Sequence, residues 1–246
     1  MDVPATVETA LADRPIAGAV CLDAGAGVGN TAAGLLAAGA SRVYTVTNER
    51  NHAVTTRERV GAAAADRTAV LVADLRAVPL PDDAVEVVTA HGLFNVVPVE
   101  TLDAIAAELT RVAAPGCHLV VDDYEPPPAD AAVRDLFALE NAATELVDGR
   151  PALTFYPAAV LRRLFEGYGW RFDRERTLLD PVPWTAGHVE AHAAVTREAA
   201  ADLPDPVAAW LTAAADRLVE TIGAESVGTM YSLALRAPAD AGRGVW

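Results

Sequence analysis

The chain has 246 residues, 52% of them hydrophobic, and carries a formal net charge of −15 from 34 acidic and 19 basic residues. This length suits one α/β domain with an addition, and no apolar run reaches the roughly 20 residues that span a bilayer. All 19 basic residues are arginine, and such an acidic surface disfavours a nucleic-acid partner because it repels phosphate backbones.

The composition also predicts where the protein works. The first residues carry acids rather than a basic and then apolar leader, so we expect a cytoplasmic protein. An acidic, lysine-free, alanine-rich chain is similar to the proteins of halophilic archaea, in which salt screens self-repulsion. A high-GC genome would also favour Ala and Arg over Lys. Because salt would screen the self-repulsion of the net charge, the halophilic interpretation predicts unfolding at low salt. Cys21 and Cys117 fall in predicted core strands and indicate no disulfide framework.

The first strand runs into a glycine-rich turn and then a helix, within residues 17–38. The strand covers Ala19–Leu22, an acid follows at Asp23, and the helix ends at Gly39. The turn itself contains Gly25, Ala26, Gly27 and Gly29. Alternate glycines let the backbone approach a ligand closely, with helical N–H groups directed at it. The pattern predicts a nucleotide-cofactor site.

Two kinds of cofactor fit this turn. From Gly27 the run fits the dinucleotide fingerprint, and Glu49 lies near the distance expected for a ribose-binding acid. From Asp23 the run Asp-x-Gly-x-Gly-x-Gly resembles motif I of the class I S-adenosylmethionine (SAM)-dependent methyltransferases. A pyrophosphate needs N–H donors, whereas the sulfonium and ammonium of SAM suit a nearby carboxylate. The turn alone leaves both open.

The following elements favour SAM. The β-branched run Arg42–Thr47 predicts a second strand, Thr68–Ala73 a third, and a fourth ends at His91. A helix over Val99–Ala113 ends at Pro115-Gly116, before a fifth strand at Cys117–Asp122. The passages Val78–His91 and Glu108–Gly116 resemble the family patterns LPxxDxxFDxV and ExxRVLxPGG. These matches occur in the family's order, which favours a methyltransferase over a dehydrogenase.

The resemblance implies a doubly wound α/β fold. We expect a mostly parallel seven-stranded sheet with helices on both faces, an antiparallel last strand over Gly228–Arg236, and a sixth strand over Trp170–Leu179. Between these two strands, residues 182–226 predict a helical insert with helices at Ala186–Ala201 and Pro206–Ile222. We interpret residues 1–236 as one domain and 237–246 as a tail. The insert is a candidate cap for the active site or a homodimer contact.

The resemblance also implies the residues of the site. The family's ribose-binding acid is replaced by Thr47, so Asn48 or Glu49 is expected to take that contact. The residues expected to bind the donor are Asp23, Gly25, Ala26, Gly27, Gly29, Asn48, Glu49, Asp74, Leu75 and His91. Candidates on the acceptor side are Asn95, Tyr124, Tyr156, Trp184 and His188, and the candidate catalytic residues are His91 and Glu125.

The predicted function is transfer of a methyl group from SAM to an O, N or C nucleophile of a small molecule. The Asn-Pro-Pro-Tyr signature of amino-group methyltransferases acting on bases or Gln is absent after the fourth strand. His188 and His192 lie at i and i+4, but with no evident third ligand they indicate no metal site. Two alternatives remain: an NAD(P)-dependent oxidoreductase using the same turn, and a non-catalytic SAM-fold binding protein.

Overall fold

A computed structural model describes residues 2–61 and 64–239 of the chain. Within these residues the strands are β1 (Val20–Ala24), β2 (Arg42–Thr47), β3 (Thr68–Val72), β4 (Val85–His91), β5 (Ala113–Tyr124), β6 (Arg171–Leu179), β7 (Pro183–Trp184), β8 (Glu225–Ser226) and β9 (Met230–Arg236). The α-helices are α1 (Ala5–Leu11), α2 (Asn30–Ala37), α3 (Arg50–Val60), α4 (Leu102–Val112), α5 (Val133–Asp148), α6 (Ala158–Gly167), α7 (Ala186–Ala200) and α8 (Asp205–Ile222). A 3-10 turn at Val99–Thr101 leads into α4.

Seven strands form the central sheet in the order β3-β2-β1-β4-β5-β9-β6. The neighbours from β3 to β5 pair in parallel, and β9 pairs antiparallel with both β5 and β6. The predicted fold class is therefore confirmed, including its antiparallel last strand. That strand was expected to pair with the sixth strand, and it also pairs with the fifth. The order reverses beside β1, and open α/β sheets bind their ligands at such a point.

Alternate residues of the inner strands supply two cores, one on each face of the sheet. Leu22 of β1 packs with residues of α4 and α6 such as Leu109 and Phe165. Its neighbour Cys21 faces the other way and packs with residues of α1 and α2 such as Leu35. Successive side chains in a strand point to opposite faces, so buried apolar residues at both positions require helices on both sides.

The insert has its own core. A short ladder between β7 and β8 brings its two ends together, with Trp184 opposite Glu225. The helices α7 and α8 between them pack on each other and on α5 around buried apolar residues such as Phe137, Trp184 and Leu211. Tyr124, at the end of β5, also packs against this cluster. The helical unit is thereby joined to the carboxyl end of the sheet.

The start of β5 differs from the expectation. The strand was predicted to begin at Cys117 after a stop at Pro115-Gly116, but it begins at Ala113. Ala113 pairs with Val85, and the ladder then shifts register before His118 pairs with Val87. Gly116 adopts φ +77° there, and its N–H donates to the carbonyl of Pro238. A bulge next to the edge of a ladder tolerates the Pro-Gly pair that a regular strand would exclude.

No helix within the described residues is long and apolar enough to cross a membrane. The last part of the predicted tail, residues 240–246, lies outside the described residues.

Candidate functional site

Asp23 lies directly beneath the glycine-rich turn. Its side chain is 0% exposed, and its carboxylate accepts hydrogen bonds from the hydroxyls of Thr45 at 3.1 Å and Thr89 at 3.3 Å. These threonines are its register partners on the two flanking strands. Burial raises the pKa of Asp23 to about 7, against the opposing effect of the Thr45 hydrogen bond. The carboxylate can therefore act on a ligand above the turn only through its electric field and through the backbone that it supports.

The turn is packed tightly at both ends and is open in the middle. A Cβ on Gly25 would lie 2.9 Å from Cδ1 of Leu93, and one on Gly29 would lie 3.1 Å from Cα of Thr56. A Cβ on Gly27 would meet no atom of the described residues within 4 Å. All three glycines have positive φ, which residues with a side chain rarely adopt. The open side at Gly27 is thus where a ligand can approach the backbone.

The N–H groups at the start of the turn are already bonded. Gly25 and Ala26 both donate to the carbonyl of Val46 on β2, at 3.0 and 2.9 Å. Ala26 accepts in turn from the N–H of Gly29 at 2.8 Å. These bonds fix the turn against the neighbouring strand, so it is held in one shape before a ligand arrives.

The predicted ribose and adenine residues lie at the ends of β2 and β3. Asn48 and Glu49 are exposed at the start of α3, and the N–H of Glu49 donates to Oγ1 of the buried Thr47 at 3.0 Å. Asp74 is exposed, and its Oδ1 accepts from the backbone N–H of Arg76 at 2.8 Å. The hydrogen bonds and charge of Arg76 lower the pKa of Asp74. Leu75 packs against the core. The polar side chains of this group face solvent at the carboxyl edge.

His91 and Asp122 are register partners at the ends of β4 and β5. The Nδ1 of His91 lies 3.0 Å from Oδ2 of Asp122, whose side chain is almost completely buried. Burial alone would lower the pKa of His91, but the hydrogen bond and charge of Asp122, helped by Asp23 and Asp123, outweigh it and raise that pKa. The pair places a protonatable ring, held by a carboxylate, at the carboxyl ends of β4 and β5.

Buried polar groups follow immediately along β5. The carboxylate of Asp123 accepts from the N–H groups of Asn95 at 3.1 Å and Tyr124 at 2.9 Å, and burial raises its pKa to about 6. Oδ1 of Asp122 and Oδ1 of Asn95 are buried and have no hydrogen-bond partner within the described residues. Buried polar atoms are seldom left unpaired. These two oxygens therefore fit a ligand that donates hydrogen bonds.

Glu125 holds a helix end. Its Oε1 accepts from the N–H of Ala158, the first residue of α6, at 3.0 Å, and its own N–H donates to the carbonyl of Thr229. A carboxylate at a helix N-terminus satisfies an otherwise unpaired donor and interacts favourably with the helix dipole. The structure thus gives this predicted catalytic residue a structural contact.

Two of the remaining acceptor-side candidates, Tyr124 and Trp184, form the contact between β5 and the insert. The rings of Tyr124 and Trp184 lie 5.4 Å apart, and Nε1 of Trp184 donates to the carbonyl of Val227. The carbonyl of Tyr156 accepts from the hydroxyl of Tyr231. His188 is exposed and forms a capping box with Thr185 at the start of α7.

One pair of residues was missed by the sequence analysis. Nδ1 of His192 on α7 lies 2.7 Å from Oε2 of Glu140 on α5, and the Glu140 side chain is only 4% exposed. An acid within the apolar stripe of an amphipathic helix is the signal that could have revealed it, because a buried carboxylate needs a partner. The described residues contain no group of three or more His, Cys, Asp or Glu side chains that could hold a metal ion.

Two cavities lie away from these residues. One of about 390 Å³ is lined by Glu86, His118 and Arg236, among others, near the amino ends of the strands. The other, of about 630 Å³, lies beside α1 and α2 and includes Glu8 and Arg14. Neither contains a predicted site residue. The candidate site is instead defined by the convergence of polar groups at the carboxyl edge.

Comparisons with known proteins find similarity to methyltransferases. The profile of a family described as a methyltransferase domain matches residues 21–116. A demethylmenaquinone methyltransferase of Clavibacter sepedonicus is 38% identical over 124 residues, which cover 50% of this chain and 48% of that protein. The match thus spans about half the length of the curated relative.

Solved structures extend the likeness over the whole fold. A cyclopropane synthase of Mycobacterium tuberculosis matches with a TM-score of 0.61 at 16% identity, covering 94% of this chain and 83% of that one. A SAM-dependent methyltransferase of Aquifex aeolicus matches with a TM-score of 0.55 at 16% identity, covering 94% and 88%. At these identities the likeness is one of fold.

Proposed function

We propose that this chain is a class I SAM-dependent methyltransferase, which transfers the methyl group of SAM to a small-molecule acceptor and releases S-adenosylhomocysteine. The observation that carries the proposal is the turn at the end of β1. It is open at Gly27, is held by Val46, and lies above a buried carboxylate at Asp23. Burial raises the pKa of Asp23 to about 7, so above that pH the charge beneath the turn is negative and favours a cationic ligand over a diphosphate.

The donor-binding residues are proposed along the carboxyl edge. The turn residues from Gly25 to Gly29 would take the amino-acid part of SAM, with Asp23 supplying negative potential from below. Asn48 or Glu49 would bind the ribose, since both are exposed at the end of β2. Asp74 would accept from the adenine amine, and the backbone of Leu75 would contact the ring. His91 would lie next to the methyl group.

SAM supplies a methyl group on a good leaving group, so the chain's main task is alignment and exclusion of water. Holding two reactants in line can be worth about 7–11 kcal/mol. His91, held by Asp122, is proposed to orient the acceptor near the donor. Glu125 is proposed to fix the start of α6 with Oε1 and to contact the acceptor with Oε2, for which the described residues show no partner.

The acceptor is proposed to lie between the sheet edge and the insert. Its surroundings would be Asn95, Tyr124, Tyr156, Trp184 and His188. These side chains combine aromatic rings with a few polar groups, which suits a small and partly apolar molecule. Because the curated relative is named for demethylmenaquinone, a quinone is the first acceptor class to test.

The composition carries further proposals about the whole protein. We propose one domain over residues 1–236, a cytoplasmic location and a halophilic origin, in which salt screens the net charge of −15. The same charge argues against a nucleic-acid substrate. The exposed surface of the insert, which includes Trp210, is the proposed homodimer contact.

The function is tested by turnover of a metabolite extract. The purified chain is incubated with extract and methyl-labelled SAM, and mass spectrometry searches for a compound that has gained the labelled methyl group. A labelled product with matching S-adenosylhomocysteine supports the proposal. Binding of S-adenosylhomocysteine without any labelled product across extracts would favour the non-catalytic alternative.

A further inference from the structure

The ends of β4 and β5 are joined to His192 of the insert by two routes of contact. Along the first, the N–H of Tyr124 donates to the carboxylate of Asp123 at 2.9 Å. The ring of Tyr124 lies 5.4 Å from that of Trp184, which lies 6.1 Å from that of His192. His192 is therefore connected to the end of β5 through two aromatic rings.

The second route starts from Asn95, which follows the end of β4. The carbonyl of Asn95 accepts from the N–H of Thr154 at 2.8 Å, and the next residue, Phe155, packs its ring 5.2 Å from that of Phe137. The ring of Phe137 lies 4.8 Å from that of His192. Because Asn95 also donates to Asp123, the two routes close a circle, here called the acceptor ring. Its members are Asn95, Asp123, Tyr124, Phe137, Thr154, Phe155, Trp184 and His192.

His192 is the member of the acceptor ring that is built to accept a proton. Its Nδ1–H donates to the buried carboxylate of Glu140 at 2.7 Å, which fixes the tautomer and leaves Nε2 as the basic nitrogen. No hydrogen bond to Nε2 is found within residues 2–61 and 64–239. The His192 side chain is 23% exposed while that of Glu140 is 4% exposed. A base oriented by a third, buried group is the arrangement that activates a hydroxyl nucleophile.

The charges around the acceptor ring restrict the ligand. Carboxylates lie on or beside it at Asp122, Asp123, Glu125 and Glu140, and no arginine of the described residues is bonded to any of them. An acceptor that carries a permanent negative charge would therefore be repelled, whereas a phenolate formed by proton transfer to His192 lies beside the imidazolium that the transfer creates. Four aromatic side chains in the ring favour a flat, apolar molecule, because aromatic pairs add to the energy of area burial.

We propose, resting on the proposed function, that His192 oriented by Glu140 takes the proton from an aromatic hydroxyl of an uncharged acceptor. The O–H bond breaks as Nε2 receives the proton. The oxygen's electron pair forms the bond to the methyl carbon, and the electrons of the methyl–sulfur bond remain on sulfur, giving a neutral thioether. The resulting imidazolium lies beside the Glu140 carboxylate, which balances its charge.

The test uses 4-nitrophenol as a probe, because its phenolate is coloured and its phenol is not. The full chain is saturated with S-adenosylhomocysteine, and the phenolate-to-phenol ratio of bound probe is measured at a pH below the probe's own pKa. The wild type is expected to bind the probe largely as phenolate. His192→Gln is expected to lower the bound ratio by about tenfold or more, and Glu140→Gln to lower it less.

A matched control is His118→Gln, which changes a histidine near the amino ends of the strands, lining a different cavity. It should leave the bound ratio unchanged. Thermal melting and S-adenosylhomocysteine affinity are measured for every variant, so a misfolded His192→Gln is recognised. In that case the phenolate-to-phenol ratio of probe bound to Glu140→Gln tests the proposal. If His192→Gln and Glu140→Gln bind the probe with the same phenolate-to-phenol ratio as the wild type, the assignment of His192 is overturned. It is also overturned if the probe fails to bind a chain that binds S-adenosylhomocysteine normally. If S-adenosylhomocysteine does not bind at all, the proposed function itself fails.

Discussion

The Nδ1 of His91 lies 3.0 Å from Oδ2 of Asp122, at paired positions where β4 and β5 end together. This contact holds a protonatable ring beside a buried carboxylate at the carboxyl edge of the sheet. Asp122 acts on His91 both as a hydrogen-bond acceptor and as a charge, and together with Asp23 and Asp123 it overcomes the opposing effect of burial on the pKa.

Asp122→Asn should lower the pKa of His91, and NMR titration of the imidazole measures the change. A histidine whose pKa is raised in the folded state stabilises the protein most below its unfolded pKa, about 6.5. That contribution is lost as the pH rises through the higher folded value. The stability difference between wild type and variant should therefore be largest in acid and shrink towards neutral pH.

Asp123→Asn is the matched control, because it removes a neighbouring charge without removing the hydrogen bond. It should shift the His91 pKa in the same direction by less. Equal shifts in the two variants would show that the hydrogen bond contributes nothing.

The free energy of unfolding of Asp23→Asn should rise relative to that of the wild type as the pH rises towards 7. Burial raises the pKa of Asp23 from 3.8 to about 7, so in this window the folded state holds a proton that the unfolded state has lost. Wild-type stability therefore falls with pH there, by at most about 1.4 kcal/mol per unit from this group. Asparagine does not titrate, so the variant should gain on the wild type across the window.

Urea unfolding at a series of pH values measures this difference. The control is Asp130→Asn, at an exposed position, whose free energy of unfolding should change with pH in parallel with that of the wild type. Above pH 7, where the wild-type carboxyl is ionised, the same Asp23→Asn protein should bind SAM more weakly, because the negative potential beneath the turn is gone. A variant that lost stability relative to wild type as the pH rose would contradict the burial of a protonated carboxyl group.

Three glycine substitutions separate the packing of the turn from its ligand contact. Gly29→Ala should destabilise most, since its Cβ would lie 3.1 Å from the backbone of Thr56 in addition to the positive-φ strain. Gly27→Ala should cost only the strain, about 1–2 kcal/mol, yet abolish donor binding because its Cβ projects into the open side. Gly223→Ala, with φ +58° and no atom within 4 Å, is the control for strain alone.

Melting temperatures and calorimetric titration with S-adenosylhomocysteine give the two readouts. Gly223→Ala should melt like Gly27→Ala and bind like the wild type. If Gly27→Ala bound S-adenosylhomocysteine with unchanged affinity, the open side of the turn would not be the donor site.

Salt should stabilise the protein. With a net charge of −15, the compact state repels itself, and screening acts over about 3 Å at 1 M salt against about 10 Å at 0.1 M. The midpoint of urea unfolding should therefore rise steeply with KCl concentration. A parallel series in sucrose, which is excluded from the surface without screening charge, separates the two effects. Full stability in dilute buffer would remove the halophilic proposal.

The order of elements could be predicted because each has a local cause. The β-branched run Arg42–Thr47 was predicted with the bounds that the structure has. The helical insert was predicted from two helical segments, Ala186–Ala201 and Pro206–Ile222, separated by a Pro-rich turn. The start of β5 was missed because its first residues are held by partners distant in sequence, Val85 and Pro238, which no local pattern contains.

The side-chain contacts of the site could not be predicted for the same reason. His91 and Asp122 are 31 residues apart, and His192 and Glu140 are 52 apart. Each partner has an ordinary local context, and only the sheet register or the packing of α5 on α7 brings them together. The sequence could place Glu125 at the carboxyl edge, but its contact with α6 depends on how that helix docks.

The central claim, that the turn above Asp23 binds a cationic methyl donor, is tested most directly by calorimetric titration of the full chain with SAM, S-adenosylhomocysteine and NAD. We predict saturable one-to-one binding of SAM and S-adenosylhomocysteine, lost in Gly27→Ala, and no binding of NAD. Saturable binding of NAD with no response to SAM would contradict the assignment and restore the dehydrogenase alternative.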